Sequence, residues 1–96
     1  MFKSLTIYQN YMKITYVPRV GTLEGIDIEL HRVGFVLSKI QNPDEAVLYM
    51  GLFGSAVQVR RRENVNPTLP RQYELTYEGP DNLLEELKNH LLPCTP

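Results

Sequence analysis

Leu23-Glu24-Gly25-Ile26-Asp27-Ile28-Glu29-Leu30-His31-Arg32-Val33-Gly34-Phe35-Val36-Leu37-Ser38-Lys39-Ile40 is the stretch whose reading decides the fold. Leu23, Ile26, Leu30, Val33, Leu37 and Ile40 recur at spacings of 3, 4, 3, 4 and 3, which traces one face of a helix. Thr22 stands where an N-cap belongs, Lys39 suits a last turn and Asn42-Pro43 makes a stop. Against a helix stand Gly25, Gly34 and the β-branched Ile26, Ile28, Val33, Val36 and Ile40. Ile26, Ile28 and Leu30 also alternate as a strand would. A strand reading must change face near His31-Arg32, whereas the helix needs no such change. The expectation is one helix over residues 23–40, with two strands as the alternative.

Upstream, residues 2–8 and 11–17 read as a hairpin turning at Gln9-Asn10, which sets Leu5, Ile7, Met12 and Ile14 on one face. Pro18 and Gly21 end its second strand. Downstream, Ala46 to Phe53 is apolar on both alternating faces and reads as a strand turning at Gly54-Ser55. A two-residue turn there pairs Leu52 with Val57 and Met50 with Val59 on the core face. It pairs Tyr49 with Arg60 and Val47 with Arg62 on the outer one. Residues 63–70 form a loop with two prolines. Arg71 to Glu78 then alternates cleanly, with Tyr73, Leu75 and Tyr77 on one side. Gly79-Pro80 breaks it, and Asp81 or Asn82 caps a last helix with the stripe Leu83, Leu84, Leu87 and Leu91, stopped by Pro93.

The sum is an α+β fold: hairpin, helix, three strands, helix, as a single antiparallel sheet with both helices packed on one face. Residues 1–93 are expected to form one domain and 94–96 a short tail. The 96-residue length leaves no room for a second domain. At 43% hydrophobic and 22% charged, the chain is not of the disordered class.

Ten basic residues against 11 acidic give a net charge of −1, so no global basic footprint for nucleic acid or an anionic membrane exists. Cys94, the single cysteine, supports neither an intrachain disulfide nor a thiolate metal cluster. No apolar run approaches the roughly 18 residues of a membrane span, and the first residues lack the pattern of a secretory signal. The expectation is a cytoplasmic protein without cofactor, metal or membrane partner. His31 and His90 have no second histidine at helical spacing. No nucleophile stands in a motif that would activate it, so the chain is expected not to be an enzyme.

Two surfaces remain. On the expected 23–40 helix, Ile28 and Phe35 fall one heptad apart on the side opposite the core stripe, flanked by Glu24, Arg32 and Lys39. An apolar pair rimmed by charge has the make-up of a partner surface. On the expected outer sheet face, Tyr49 and Phe53 lie with Arg60 and Arg62. The leading expectation is a small interaction module, such as a regulator, inhibitor or assembly subunit. It would bind another protein or itself as a homodimer through Ile28, Arg32, Phe35, Tyr49 and Phe53. The alternative is single-stranded nucleic-acid binding through Arg60, Arg61, Arg62 and Arg71, with aromatic stacking on Tyr49.

Overall fold

A computed structural model describes residues 11–42, 46–62 and 73–94. The described chain runs β1 (Tyr11–Tyr16), α1 (Leu23–Val33), β2 (Val36–Asn42), β3 (Ala46–Met50), a 3₁₀ turn (Leu52–Gly54), β4 (Ala56–Arg61), β5 (Tyr73–Pro80) and α2 (Asp81–His90). The five strands form one sheet in the order β1-β5-β4-β3-β2, with every neighbouring pair antiparallel. Both helices lie on one face, where Ile26, Leu30 and Val33 of α1 and Leu83, Leu84 and Leu87 of α2 join Val47, Tyr49, Val57, Val59, Leu75 and Tyr77 in a single core. The expected strand over residues 2–8, the loop 63–70 and Arg71 lie outside the described residues.

The 23–40 segment is not one helix. α1 starts where Thr22 accepts the Gly25 N–H at 3.1 Å, an ordinary N-cap. It stops at Gly34, whose φ of 102° is the left-handed conformation. The Gly34 N–H donates to the His31 carbonyl at 3.1 Å, and the Phe35 N–H reaches back to Leu30 at 2.9 Å. That pair of bonds is a Schellman stop, and it uses the glycine for its free φ. Phe35, expected on an exposed helix face, instead follows the cap and is fully buried. Its ring meets Tyr77 edge to face, with centroids 6.4 Å apart.

The β3–β4 register also differs from expectation. Tyr49 pairs with Val57, Val47 with Val59 and Ala46 with Arg60, because the connection runs from Gly51 to Ser55 rather than through two residues. The Gly51 N–H donates to the Ser55 carbonyl at 2.9 Å, and Ser55 Oγ donates to the Leu52 carbonyl at 2.6 Å. Phe53 and Gly54 both take positive φ, 58° and 72°. A Cβ on Gly51 would lie 2.6 Å from the Phe35 ring, so only glycine lets the backbone pass this close to Phe35. Relative to β4, the pairing moves by an odd number of residues, which turns every β3 side chain to the other face. Tyr49 therefore belongs to the core, not to the outer face.

The alternation of β5 and the leucine stripe of α2 are as expected, but Gly79-Pro80 does not break the strand. β5 runs on through them, opposite Met12 and Tyr11 of β1, and Pro80 rather than Asp81 or Asn82 is the N-cap of α2. Leu75 and Tyr77 are fully buried, and so are Leu87 and Leu91. The Tyr77 hydroxyl donates to the Pro80 carbonyl at 2.6 Å, bracing the strand-to-helix corner.

Candidate functional site

Among the described residues β2 is an edge strand, and its inner face is only partly roofed. Two register shifts against β3, one between Leu37 and Lys39 and one between Ile40 and Asn42, mark β-bulges at which two residues oppose one. Leu37 and Ile40, opposite Tyr49 and Val47, face the helix side. Val36, opposite Met50, and Lys39, opposite Leu48, face the other. Gln41 shares that outer face, since it accepts a hydrogen bond from Gln58 at 2.8 Å. Leu37 and Ile40 are 47% and 54% exposed although they lie on the core side of the sheet, and Val36 is 57% exposed. An edge strand with so much uncovered apolar surface is a template for another chain.

Beside it lies an apolar groove of about 290 Å³, closed by Leu23, Glu24 and Asp27 of α1 against Leu37, Ile40, Val47 and Tyr49. Its floor is fixed by a polar tie. The Tyr49 hydroxyl donates to Asp27 Oδ1 at 2.5 Å, and the other carboxylate oxygen lies 3.5 Å from His31 Nδ1. The His31 ring stands edge-on to Tyr49, with centroids 6.4 Å apart. Burial, and then the Asp27 carboxylate, hold the Tyr49 phenol well above its ordinary pKa. The phenol therefore stays a protonated donor that orients Asp27, not a base.

A larger depression of about 590 Å³ lies between Met12 and the flank of α2. Asp81, Asn82, Glu85, Lys88 and Asn89 line it, polar side chains that a solvated helix carries in any case. His90 faces Glu29 at 3.3 Å across the two helices, a contact that joins α2 to α1. Among the described residues no group of three or more His, Cys, Asp or Glu side chains could hold a metal ion. Among the same residues no helix is long and apolar enough to cross a membrane.

The residues singled out from the sequence are scattered. Ile28 is 52% exposed and Arg32 is exposed on the solvent side of α1, as expected, but Phe35 does not accompany them. Phe53 is 67% exposed at the 3₁₀ turn, while Tyr49 is buried under α1. Arg60 lies on the outer face opposite Glu74 of β5 and Ala46 of β3. Arg61 points to the other side, opposite Tyr73, and Arg62 follows the end of β4. The arginine–tyrosine face is thus not assembled, because the register shift takes Tyr49 away from Arg60. Val36, Leu37 and Ile40 were missed as surface residues, since helical spacing had assigned Leu37 and Ile40 to a core stripe. Comparison of the chain with protein-family models, with curated proteins and with solved structures finds no match.

Proposed function

We propose that this protein is a small interaction module that binds protein through the β2 edge and the groove beneath α1. The observation that carries this reading is the half-exposure of Leu37 and Ile40 on the side of the sheet that elsewhere forms the core. Side chains patterned for burial, set on a strand with an open edge, are what an interface offers before its partner arrives. Val36 and Met50, paired across the outer face and 57% and 38% exposed, extend the apolar surface around the edge. The groove's polar groups, Asp27 and the Tyr49 hydroxyl, already satisfy one another. That arrangement suits recognition of an apolar surface better than chemistry on a substrate.

Photocrosslinking in the source cells tests this. A benzophenone amino acid at position 37 or 40 should give protein adducts, with the same group at Leu92 as the control. Leu92 is also 49% exposed but lies at the far end of α2. Equal adduct yields at all three positions, or none at 37 and 40, would remove the reading.

A further inference from the structure

We infer that the occupant of this edge is a second copy of the same chain, joined β2 to β2 across a two-fold axis so that two five-stranded sheets become one. This rests on the reading of β2 as the interaction surface and names its partner. The bulges are the reason. In a regular strand, side chains on one face are two residues apart. On β2 the two inward side chains, Leu37 and Ile40, are three apart, with Ser38 and Lys39 together opposite Leu48. A regular strand must oppose one residue to these two, as Leu48 of β3 does on the other side, whereas a copy of β2 carries the same extra residue and matches them one to one over residues 36–41.

Antiparallel pairing with the axis between Ser38 and Lys39 sets Leu37 against Ile40 of the second copy, and Ile40 against its Leu37. All four lie on the helix side. On the outer face, Val36 then meets Gln41 and Ser38 meets Lys39. The only charged residue of β2 thus stands across from a serine rather than from its own copy, which like charges directly opposite would penalise.

Charge on the helix side agrees. Leu23, Glu24 and Asp27 share the groove with Leu37 and Ile40, so α1 borders the joint and is reversed in the second copy by the same axis. Its acidic half, Glu24 and Asp27, then lies along the half of the other α1 that carries His31 on the same side. The size is of the right order. A standard half-interface is roughly 800 Å², about one-eighth of this chain's 6664 Å². The seven residues of β2 with Leu23, Glu24, Asp27 and His31 are a similar share of its 96.

Sedimentation from low to high micromolar concentration reads the assembly. The expected species is twice the 11.1 kDa chain. Ile40→Asp should weaken it by about thirtyfold or more, as loss of a central contact does. The circular dichroism spectrum should not change, since the residue is half in water already. A strict monomer at high micromolar concentration overturns the self-pairing, and so does a dimer indifferent to Ile40→Asp.

Register is read by oxidation in a Cys94→Ser background. Leu37→Cys mixed with Ile40→Cys should give a disulfide-linked heterodimer, because directly paired strand residues fall within disulfide reach. Either variant alone should give little. Self-linking of Leu37→Cys as efficient as the mixture would overturn the register. The interaction reading fails separately. Adducts at positions 37 and 40 to other proteins, with a monomer in the centrifuge, would remove the second copy and leave the surface. No adducts and a monomer would remove both.

Discussion

The two ends of the helix layer treat the sheet differently. At the α2 end, Leu83, Leu84, Leu87 and Leu91 are buried over β5 and β1, and the Tyr16 hydroxyl donates to the Leu91 carbonyl at 2.9 Å. The chain after α2 adds to the closure: the Cys94 N–H donates to the Val17 carbonyl at 2.7 Å, and the Arg19 N–H to Leu92 at 2.7 Å. At the α1 end, Ile26, Leu30 and Val33 are equally buried, yet the sheet runs one strand further than the helix covers. Leu37 and Ile40 are left half in water. Among the described residues, two helices of ten and eleven residues roof only part of a five-stranded layer. The shortfall is largest on β2, where Leu37 and Ile40 are 47% and 54% exposed against 39% for Met12 on the helix side of β1, so the apolar surplus appears there as an edge rather than as a patch on a helix.

The largest expected effect sharpens the sealed side of that contrast. Phe35→Ala should cost about 3–5 kcal/mol, the usual range for deleting a buried aromatic ring. The ring is fully buried and is the contact joining the end of α1 to Tyr77 of β5. Urea unfolding monitored by circular dichroism measures it. A cost below about 1 kcal/mol would return Phe35 to the surface.

Alkaline pH should loosen the same core next. Burial raises the phenol pKa of Tyr49 and of Tyr77 above 10.0, with Asp27 adding to the first and Tyr11 and Asp81 to the second. For Tyr77 it reaches about 12. Below pH 10 both phenols keep their protons, folded or unfolded, and stability is fully present. Above it the unfolded chain ionises first, so stability falls by about 1.4 kcal/mol per pH unit for each phenol until the folded phenols themselves titrate. Unfolding curves at pH 9 and pH 11 read the slope, and Tyr77→Phe should make it shallower. A flat profile would contradict the burial of these rings.

Much of this was legible in the sequence. Alternation in β5 and the leucine stripe of α2 settled both elements, because each has one buried and one solvated face. The α+β class and the placement of both helices on one face followed from the same reasoning. What misled was a coincidence of periods. A bulge at Ser38-Lys39 spaces Leu37 and Ile40 three residues apart on one face of a strand, and three is also a helical spacing, so the stripe of α1 seemed to run on through Gly34. The Schellman stop was visible only as a glycine. The β3–β4 register was hidden for a related reason: the Gly51–Ser55 connection packs against Phe35, a contact between distant elements that no local pattern encodes. The candidate edge was illegible for both reasons together.

Gly51→Ala probes that hidden contact. Its new methyl would meet two Phe35 ring atoms at 2.6 Å and Ser55 Oγ at 2.8 Å. Overpacking of this kind costs about 1–3 kcal/mol. Combining it with Phe35→Leu, which withdraws the ring, should recover part of the loss, and the non-additivity of the two substitutions would be the measured signature of the contact. Strict additivity would mean that the register of β3 is set elsewhere.

The smallest effect belongs to the open edge and depends on how much protein is present. Ile40→Ala in dilute solution should cost about 1 kcal/mol or less, since the side chain is 54% exposed and complete burial of an isoleucine is worth roughly 1.5–3 kcal/mol. The same change at Leu87, which is fully buried, should cost about 2–5 kcal/mol. If β2 pairs with its copy, association stabilises the folded chain in proportion to the logarithm of concentration. Raising the protein concentration should then lift the wild-type unfolding midpoint but not that of Ile40→Ala, so the cost of the substitution grows with concentration, while that of Leu87→Ala rests mainly on the monomer's core. A concentration-independent Ile40→Ala penalty would leave the edge open and unpaired, and the two halves of the molecule would then differ only in how well they are roofed.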